Sequence, residues 1–349
     1  PAFDFESKKI HDPFLMDCPL PDCITSHPEL YKMFQLVDGL GFHSQHLVEI
    51  PNAMVRGHRQ MISFGENNNY IAETHWRVSN VYNHPIYLNE WPISETRELE
   101  GDWYCMMGRN GSQYFHWLWD ELPRLYSALP HLPSGTRFLV AADICDFQKD
   151  SLEALGITPE ICLPQNFHVE SRVERLWFPT PSGHSEQAAV SPIIAQQLRE
   201  ELVSKLGGNT HQTNRRVFIS RANARRRKLT NEKEVTDYIE ALGFEIVQAE
   251  KLNFSQQVEL FSGCSIILAQ HGAGLTNILF APSHSKVLEI HGPEVTRVHY
   301  WMMTRALDLD YDCFVGSKAS HSADDGEPDF KVDMPAFKKW LGQAIPDAK

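Results

Sequence analysis

Between residues 215 and 316 the chain alternates short apolar runs with amphipathic stretches of helical period. RRVFISR (215–221), FEIVQAE (244–250), SIILAQ (265–270), KVLEI (286–290) and YDCFVG (311–316) read as strands. The segments between them, NEKEVTDYIEALG (231–243), SQQVELFSGC (255–264), GLTNILF (274–280) and VHYWMMTRALDL (298–309), read as helices. The first of these has Asn231 as N-cap, Glu234 at N3 and Gly243 at its end. SIILAQ is apolar without alternation, the pattern of a strand buried on both faces. This βαβα order predicts the α/β class with a doubly wound parallel sheet.

The N-terminal half is less regular. DWYCMMG (102–108), TRFLVAAD (136–143) and RVERLWFPT (172–180) read as strands, YFHWLWDELPRLYSAL (114–129) and FQKDSLEALG (147–156) as helices, together a second α/β lobe. A helix over roughly 186–206 bridges the halves, and the acidic SADDGEPD (321–328) leads to an amphipathic end, MPAFKKWLGQAI (334–345). The expected division is 1–185, 186–322 and a terminal segment 323–349 that packs back on the first lobe.

A length of 349 residues exceeds what one core usually fills, which agrees with two lobes. Hydrophobic residues make up 42% of the chain, enough for real cores. The net charge of -13 argues against sequence-independent binding to nucleic acid or an anionic membrane, so an anionic ligand has to be met by a local positive pocket. Seven cysteines without CxxC spacing support neither a disulfide scaffold nor a structural zinc. No run approaches the roughly 20 apolar residues of a membrane span. The first residues lack the basic and apolar regions of a signal peptide, so the expectation is a cytoplasmic enzyme of bacterial type. A Golgi or reticulum lumen is the alternative if an N-terminal anchor has been removed. The sequons at Asn110 and Asn253 matter only in such a lumen.

The chemistry concentrates where apolar strands end. AQHGAGLTNILFAP (269–282) sits between a strand and a helix, where N–H groups and the positive end of a helix dipole face ligands. Gly272 and Gly274 let the backbone approach a phosphate, Thr276 and Asn277 cap or donate, His271 flanks the turn, and together with Ala273 and Leu275 these residues are expected to hold a diphosphate. The bland alternative is a tight turn that needs glycine for geometry alone. The dinucleotide fingerprint is broken, because Asn277 occupies its third glycine position. Glu289, ending KVLEI, is either an acceptor for both ribose hydroxyls or a charge facing solvent. Ser220 and Arg221 end RRVFIS at the same sheet edge, and the arginine can pair bidentately with a diphosphate. In the basic loop RRRK (225–228), Arg225 is taken as sharing the phosphate.

RRVFISR, QHGAGLTNILFAPSHSKVLEI and the upstream YFHWLWDELPRL resemble hallmark segments of the family 61 glycosyltransferases, over about residues 101–312. The resemblance implies a GT-B architecture, two Rossmann-like lobes facing a cleft, with a nucleotide sugar, usually a UDP-sugar, held by the C-terminal lobe and the acceptor served by the N-terminal one. It also implies inverting transfer to a glycan or glycoconjugate acceptor, as in polysaccharide or capsule synthesis. Inversion needs a base near the acceptor hydroxyl. His116, Asp120 and Arg124 are spaced i, i+4, i+8 on one helix face, so His116 or Asp120 is the expected base and Arg124 an acceptor contact. Trp117 and Trp119 are candidates for stacking on sugar rings, with Trp117 taken as an acceptor contact. Alternatively the whole stripe is core, and Pro123 bends it. No metal and no cofactor beyond the co-substrate are expected, since Asp308-Leu-Asp310 straddles a helix end. A catalytically silent glycan-binding protein and a nucleotide-linked oxidoreductase or epimerase are the rival readings.

Overall fold

The computed structural model describes residues 5–16, 20, 28–35, 41–57, 61–65, 69–71, 92–108, 111–181, 190–209, 214–293, 297–319 and 328–346. Two compact units emerge. One comprises Pro1–Phe14 and Gly41–Ile194, the other Leu15–Leu40 and Ala195–Lys349. The division thus runs near residue 195 and assigns an early segment to the second unit, an arrangement that no local pattern in the sequence encodes.

The first unit is built on a mixed sheet. Its strands run in the order Asn69–Tyr70, Met61–Phe64, Gln45–Arg56, Val169–Pro179, Glu95–Cys105, Arg137–Ala141, Cys162–Gln165, with Ser7–His11 also pairing Gln45–Arg56. The last four strands in that order are mutually parallel, while the pairs on the Gln45–Arg56 side are antiparallel. Trp103, Leu139, Val173 and Leu176 build its core.

The second unit carries five strands, all parallel, in the order Phe244–Val247, Arg215–Ile219, Cys264–Gln270, Lys286–His291, Asp310–Val315. Consecutive residues Val217 and Phe218, Ile267 and Leu268, and Val287 and Leu288 are all completely buried, as expected for strands covered on both faces. The α/β class and the parallel sheet hold.

Three local expectations change. The helix Glu232–Glu240 has Asn231 before it, but the Asn231 side chain makes no cap bond. Its amide instead donates to the Val332 carbonyl and accepts from the Val332 N–H, a bidentate clasp on the C-terminal segment. That segment belongs to the second unit. Phe330, Met334, Phe337 and Leu341 join Phe218, Val235, Ile239 and Leu288 in the second unit's core, because the apolar face of the helix Met334–Ala344 finds its complement there. The turn 273–280 is a 3-10 helix rather than an α-helix. The described cysteines, 105, 145, 162, 264 and 313, are free thiols, and residues 320–327, Cys18, Cys23 and Asn110 lie outside the described residues. No helix among the described residues is long and apolar enough to cross a membrane.

Candidate functional site

The strand order places a site before any side chain is considered. With the second unit's strands in the order 2-1-3-4-5, connections leave in opposite directions from Arg215–Ile219 and Cys264–Gln270, and a crevice opens beyond their carboxyl ends. Ile219 pairs with Ala269, so the segments that follow, Ser220-Arg221 and His271-Gly272, emerge side by side at that switch point.

Arg221 lies against Gly272. An ideal Cβ on Gly272 would fall 1.9 Å from Arg221 Nη1 and 2.6 Å from Cζ, so any side chain there would displace the guanidinium. At Gly274 the space is limited by Ile219 Cγ2, 3.1 Å from an ideal Cβ. Tyr300 donates its hydroxyl to the Gly272 carbonyl at 2.7 Å. A trans peptide aims its N–H opposite to its carbonyl, so this bond turns the Ala273 N–H away from the buried tyrosine. The N–H groups of Gly272, Ala273 and Gly274 have no acceptor among the described residues, whereas that of Leu275 is taken by the Gly272 carbonyl at 2.9 Å. Ala273 is exposed and Gly274 half-buried. What the turn offers a ligand is therefore three backbone donors beside one guanidinium.

The remaining side chains of the turn face inward. Leu275, Thr276 and Asn277 are buried, and Asn277 donates to Gln257 and to the Gly274 carbonyl, both at 2.9 Å. The side chains expected to meet a ligand are thus buried within the turn. Ser220 is likewise buried, its hydroxyl donated to Glu232, which also accepts from Gln270 Nε2 at 2.7 Å. In the basic loop, Arg225 is exposed and makes no described contact with the turn. Arg227, half-buried and with a left-handed φ of 58°, is the one whose charge reaches His271 and Tyr300.

Glu289 is neither a ribose acceptor nor a solvated charge. It is completely buried, accepting from His271 Nδ1 at 2.5 Å through one oxygen and from the Tyr311 hydroxyl at 2.6 Å through the other. His291 Nε2 lies 3.4 Å from that second oxygen and 3.1 Å from the Tyr311 hydroxyl, and its ring stacks on His271 with centroids 5.7 Å apart. Burial works against the Glu289 anion, but the histidines on both sides outweigh it and hold the carboxyl far below its ordinary range. Burial lowers His271, against the raising effect of Glu289, with His291 and Arg227 adding to the lowering. An ionised carboxylate only accepts, so Nδ1 of His271 carries the proton and Nε2 keeps the lone pair.

His271, Glu289 and His291 each offer one ligand atom within 4.8 Å of the others, a set that could in principle hold a metal ion. Two atoms bound to one tetrahedral zinc lie about 3.3 Å apart. His271 Nδ1 and Glu289 Oε1 are 2.5 Å apart, which is the separation of a hydrogen bond. The donor set as arranged fits a proton-bridged network better than a coordination shell.

In the first unit the 114–129 segment is not one α-helix. Tyr114–His116 and Leu122–Ala128 are α-helical, and Trp117–Glu121 between them is a π-turn. Pro123 lacks an N–H and would clash with the carbonyl four residues back, and the widened turn relieves both. His116 Nδ1 meets Asp120 Oδ2 at 2.6 Å, and both side chains retain some exposure, 13% and 26%. Burial raises the Asp120 carboxyl above its ordinary range, with His116 and Arg124 opposing. The extra residue of the π-turn breaks the expected shared face. Arg124 donates to Glu121 at 2.5 Å and lies over Phe178, so it is a buried ion-pair partner instead of an acceptor contact. Glu121 in turn occupies the space of a Gly108 side chain. Trp117 is 1% exposed and donates to Ser151 at 2.9 Å, and Trp119 is fully buried. Both indoles are core and have no face for a sugar ring.

Sequence reasoning missed Arg227, Tyr300, His291, Tyr311 and Glu232. His291 was findable, since period two along KVLEIH sets it on the same strand face as Glu289. The tyrosines sit in apolar stretches that carry no polar signal.

A family model described as Glycosyltransferase 61 matches residues 114–288. Among curated relatives, a beta-1,2-xylosyltransferase, XAX1, of Oryza sativa subsp. japonica is 37% identical over 97 residues, covering 28% of this chain. An alpha-1,3-arabinosyltransferase, XAT3, of the same organism is 32% identical over 100 residues, covering 28%. A second beta-1,2-xylosyltransferase from it, RCN11, is 30% identical over 92 residues, covering 24%. The matched stretches span 17% of each relative's own length.

Proposed function

The chain belongs to the Glycosyltransferase 61 family, and on that footing we propose that it transfers a sugar from a nucleotide diphosphate donor, UDP foremost, to a hydroxyl of a glycan. The observation that carries this reading is the Arg221 guanidinium seated on Gly272 beside three N–H groups without acceptors. These are the donors that a pyrophosphate needs, and they stand at the switch point where an open parallel sheet receives ligands.

In this reading the reaction is a single displacement with inversion on a GT-B scaffold. The acceptor oxygen forms a bond to the anomeric carbon as the bond to the diphosphate breaks. Arg221, Arg227 and the amides of 272–274 stabilise the charge that develops on the leaving group, which gives the positive charge a metal would otherwise supply. His116 is the base: Asp120 accepts its Nδ1–H, fixes the tautomer and leaves Nε2 to take the acceptor proton. The relatives' names make pentosyl donors and xylan-type acceptors the first to try.

The test combines calorimetry and turnover. UDP is titrated into wild type and Arg221→Ala, and UDP-xylose and UDP-arabinose are incubated with xylan oligosaccharides. Saturable UDP binding that falls at least about tenfold in the variant, with a new glycosidic product, supports the reading. Equal UDP affinity in the two proteins overturns the donor site.

A further inference from the structure

The buried network behind the glycine turn has no role in the transfer described above, and its arrangement is too specific for a packing filler. His271 hangs over the edge of the sheet between two sets of charges. On one side stand Glu289, His291 and Tyr311, linked by contacts of 2.5 to 3.4 Å. On the other stand Arg221 and Arg227 from the loop after Arg215–Ile219, whose charges reach Tyr300, and Tyr300 itself from the helix His299–Leu307, whose ring meets His271 edge-on. Nε2 of His271 has no partner among the described residues.

We propose that His271 and Glu289 form a proton-accepting dyad, in which the arrival of a diphosphate is coupled to uptake of a proton at His271 Nε2. The proposal rests on the donor site argued above. Its physics is a balance of opposing effects around one ring. Burial, His291 and Arg227 oppose an imidazolium while the site is empty, and Glu289 favours it. A diphosphate brings at least two negative charges against Arg221 and Arg227, which cancels the repulsion from Arg227 and adds attraction for a protonated ring. Glu289 then stands opposite the imidazolium with its anion already held by Tyr311 and His291. The proton comes from solvent, joins the Nε2 lone pair and gives the ring a second N–H to donate. Glu289 is a positioning residue, which fixes the ring through Nδ1 and compensates the charge. His271 supplies an added positive charge only in the liganded state, a way for a strongly acidic chain to neutralise a leaving group.

The experiment is UDP binding by calorimetry at about pH 8, where a terminal phosphate with a second pKa near 6 is ionised, repeated in buffers of different ionisation enthalpy. The dependence of the heat on buffer gives the number of protons exchanged. Wild type is expected to take up a proton count approaching about one per UDP. Glu289→Gln and His271→Gln are expected to bind UDP about tenfold more weakly with uptake near zero. UDP binding to wild type without proton uptake overturns the dyad and leaves the donor site standing. Uptake that persists in His271→Gln also overturns it, because the proton then lands elsewhere. Absence of UDP binding to wild type overturns both readings. The wild-type count decides even where a buried variant fails to fold.

Discussion

Gly272 is a glycine for a reason outside its own backbone. Its φ of 169° is extended and open to any residue, so the constraint is the guanidinium 1.9 Å from where a Cβ would stand. Gly272→Ala should therefore act through Arg221. The expected result is a loss of UDP affinity of about tenfold or more in Gly272→Ala, equal to that of Arg221→Ala. The double variant should be no weaker than either single, a non-additivity that a double-mutant cycle reads directly. At the Glu289 network the sign of the pH effect follows from the two shifts. Glu289 has its carboxyl lowered from 4.5, so its contribution is present above that value and is lost as pH falls through the folded value. His271 is lowered from 6.5, so the folded state resists a proton that the unfolded chain accepts, and stability declines as pH drops below about 6.5. Thermal unfolding across pH should show the advantage of wild type over Glu289→Gln present at neutral pH and shrinking below about 4.5.

At the scale of elements, two segments are shaped by something other than their own propensities. The π-turn Trp117–Glu121 accommodates Pro123 and in doing so sends Arg124 to Glu121, while His116 and Asp120 stay paired. The C-terminal segment 328–332 latches the arginine loop. Phe330 exchanges backbone hydrogen bonds with Lys228 and Thr230, Asp329 accepts from the Lys228 N–H, and Val332 is clasped by Asn231. The Phe330 ring fills space that a side chain at Gly316 would need, with Cδ2 2.5 Å from an ideal Cβ. Phe330→Ala removes a fully buried ring and should cost about 3–5 kcal/mol of stability, measured by denaturant unfolding. Amide exchange should accelerate through residues 225–231 before the parallel sheet is affected.

At the scale of the whole molecule, a chain with a net charge of -13 carries Arg221, Arg227 and three amides together at one sheet edge. The proposed base sits in the first unit and the donor cradle in the second, so the two functions should separate on mutation. His116→Ala and Asp120→Ala are expected to leave UDP affinity unchanged within about twofold while product formation falls by about 10²–10⁴. A parallel loss of UDP affinity would place His116 in the donor site. The alternation of apolar runs from 215 to 316 determined the parallel sheet without help, because period and strand burial are local properties. The same holds for the glycine turn and Arg221, which the strand ends bring to one edge. Tertiary structure decided what the polar side chains do there. Thr276, Asn277, Ser220 and Glu289 carry the right atoms for a ligand, yet each is buried, and the last three are committed to neighbours distant in sequence. Trp117 and Arg124 turned inward for the same reason, and in the basic loop Arg227 is half-buried with a left-handed φ while Arg225 is exposed. A hydrogen bond is settled by separation and angle in space, and the spacing of letters along a chain constrains neither once the partners come from different strands and helices.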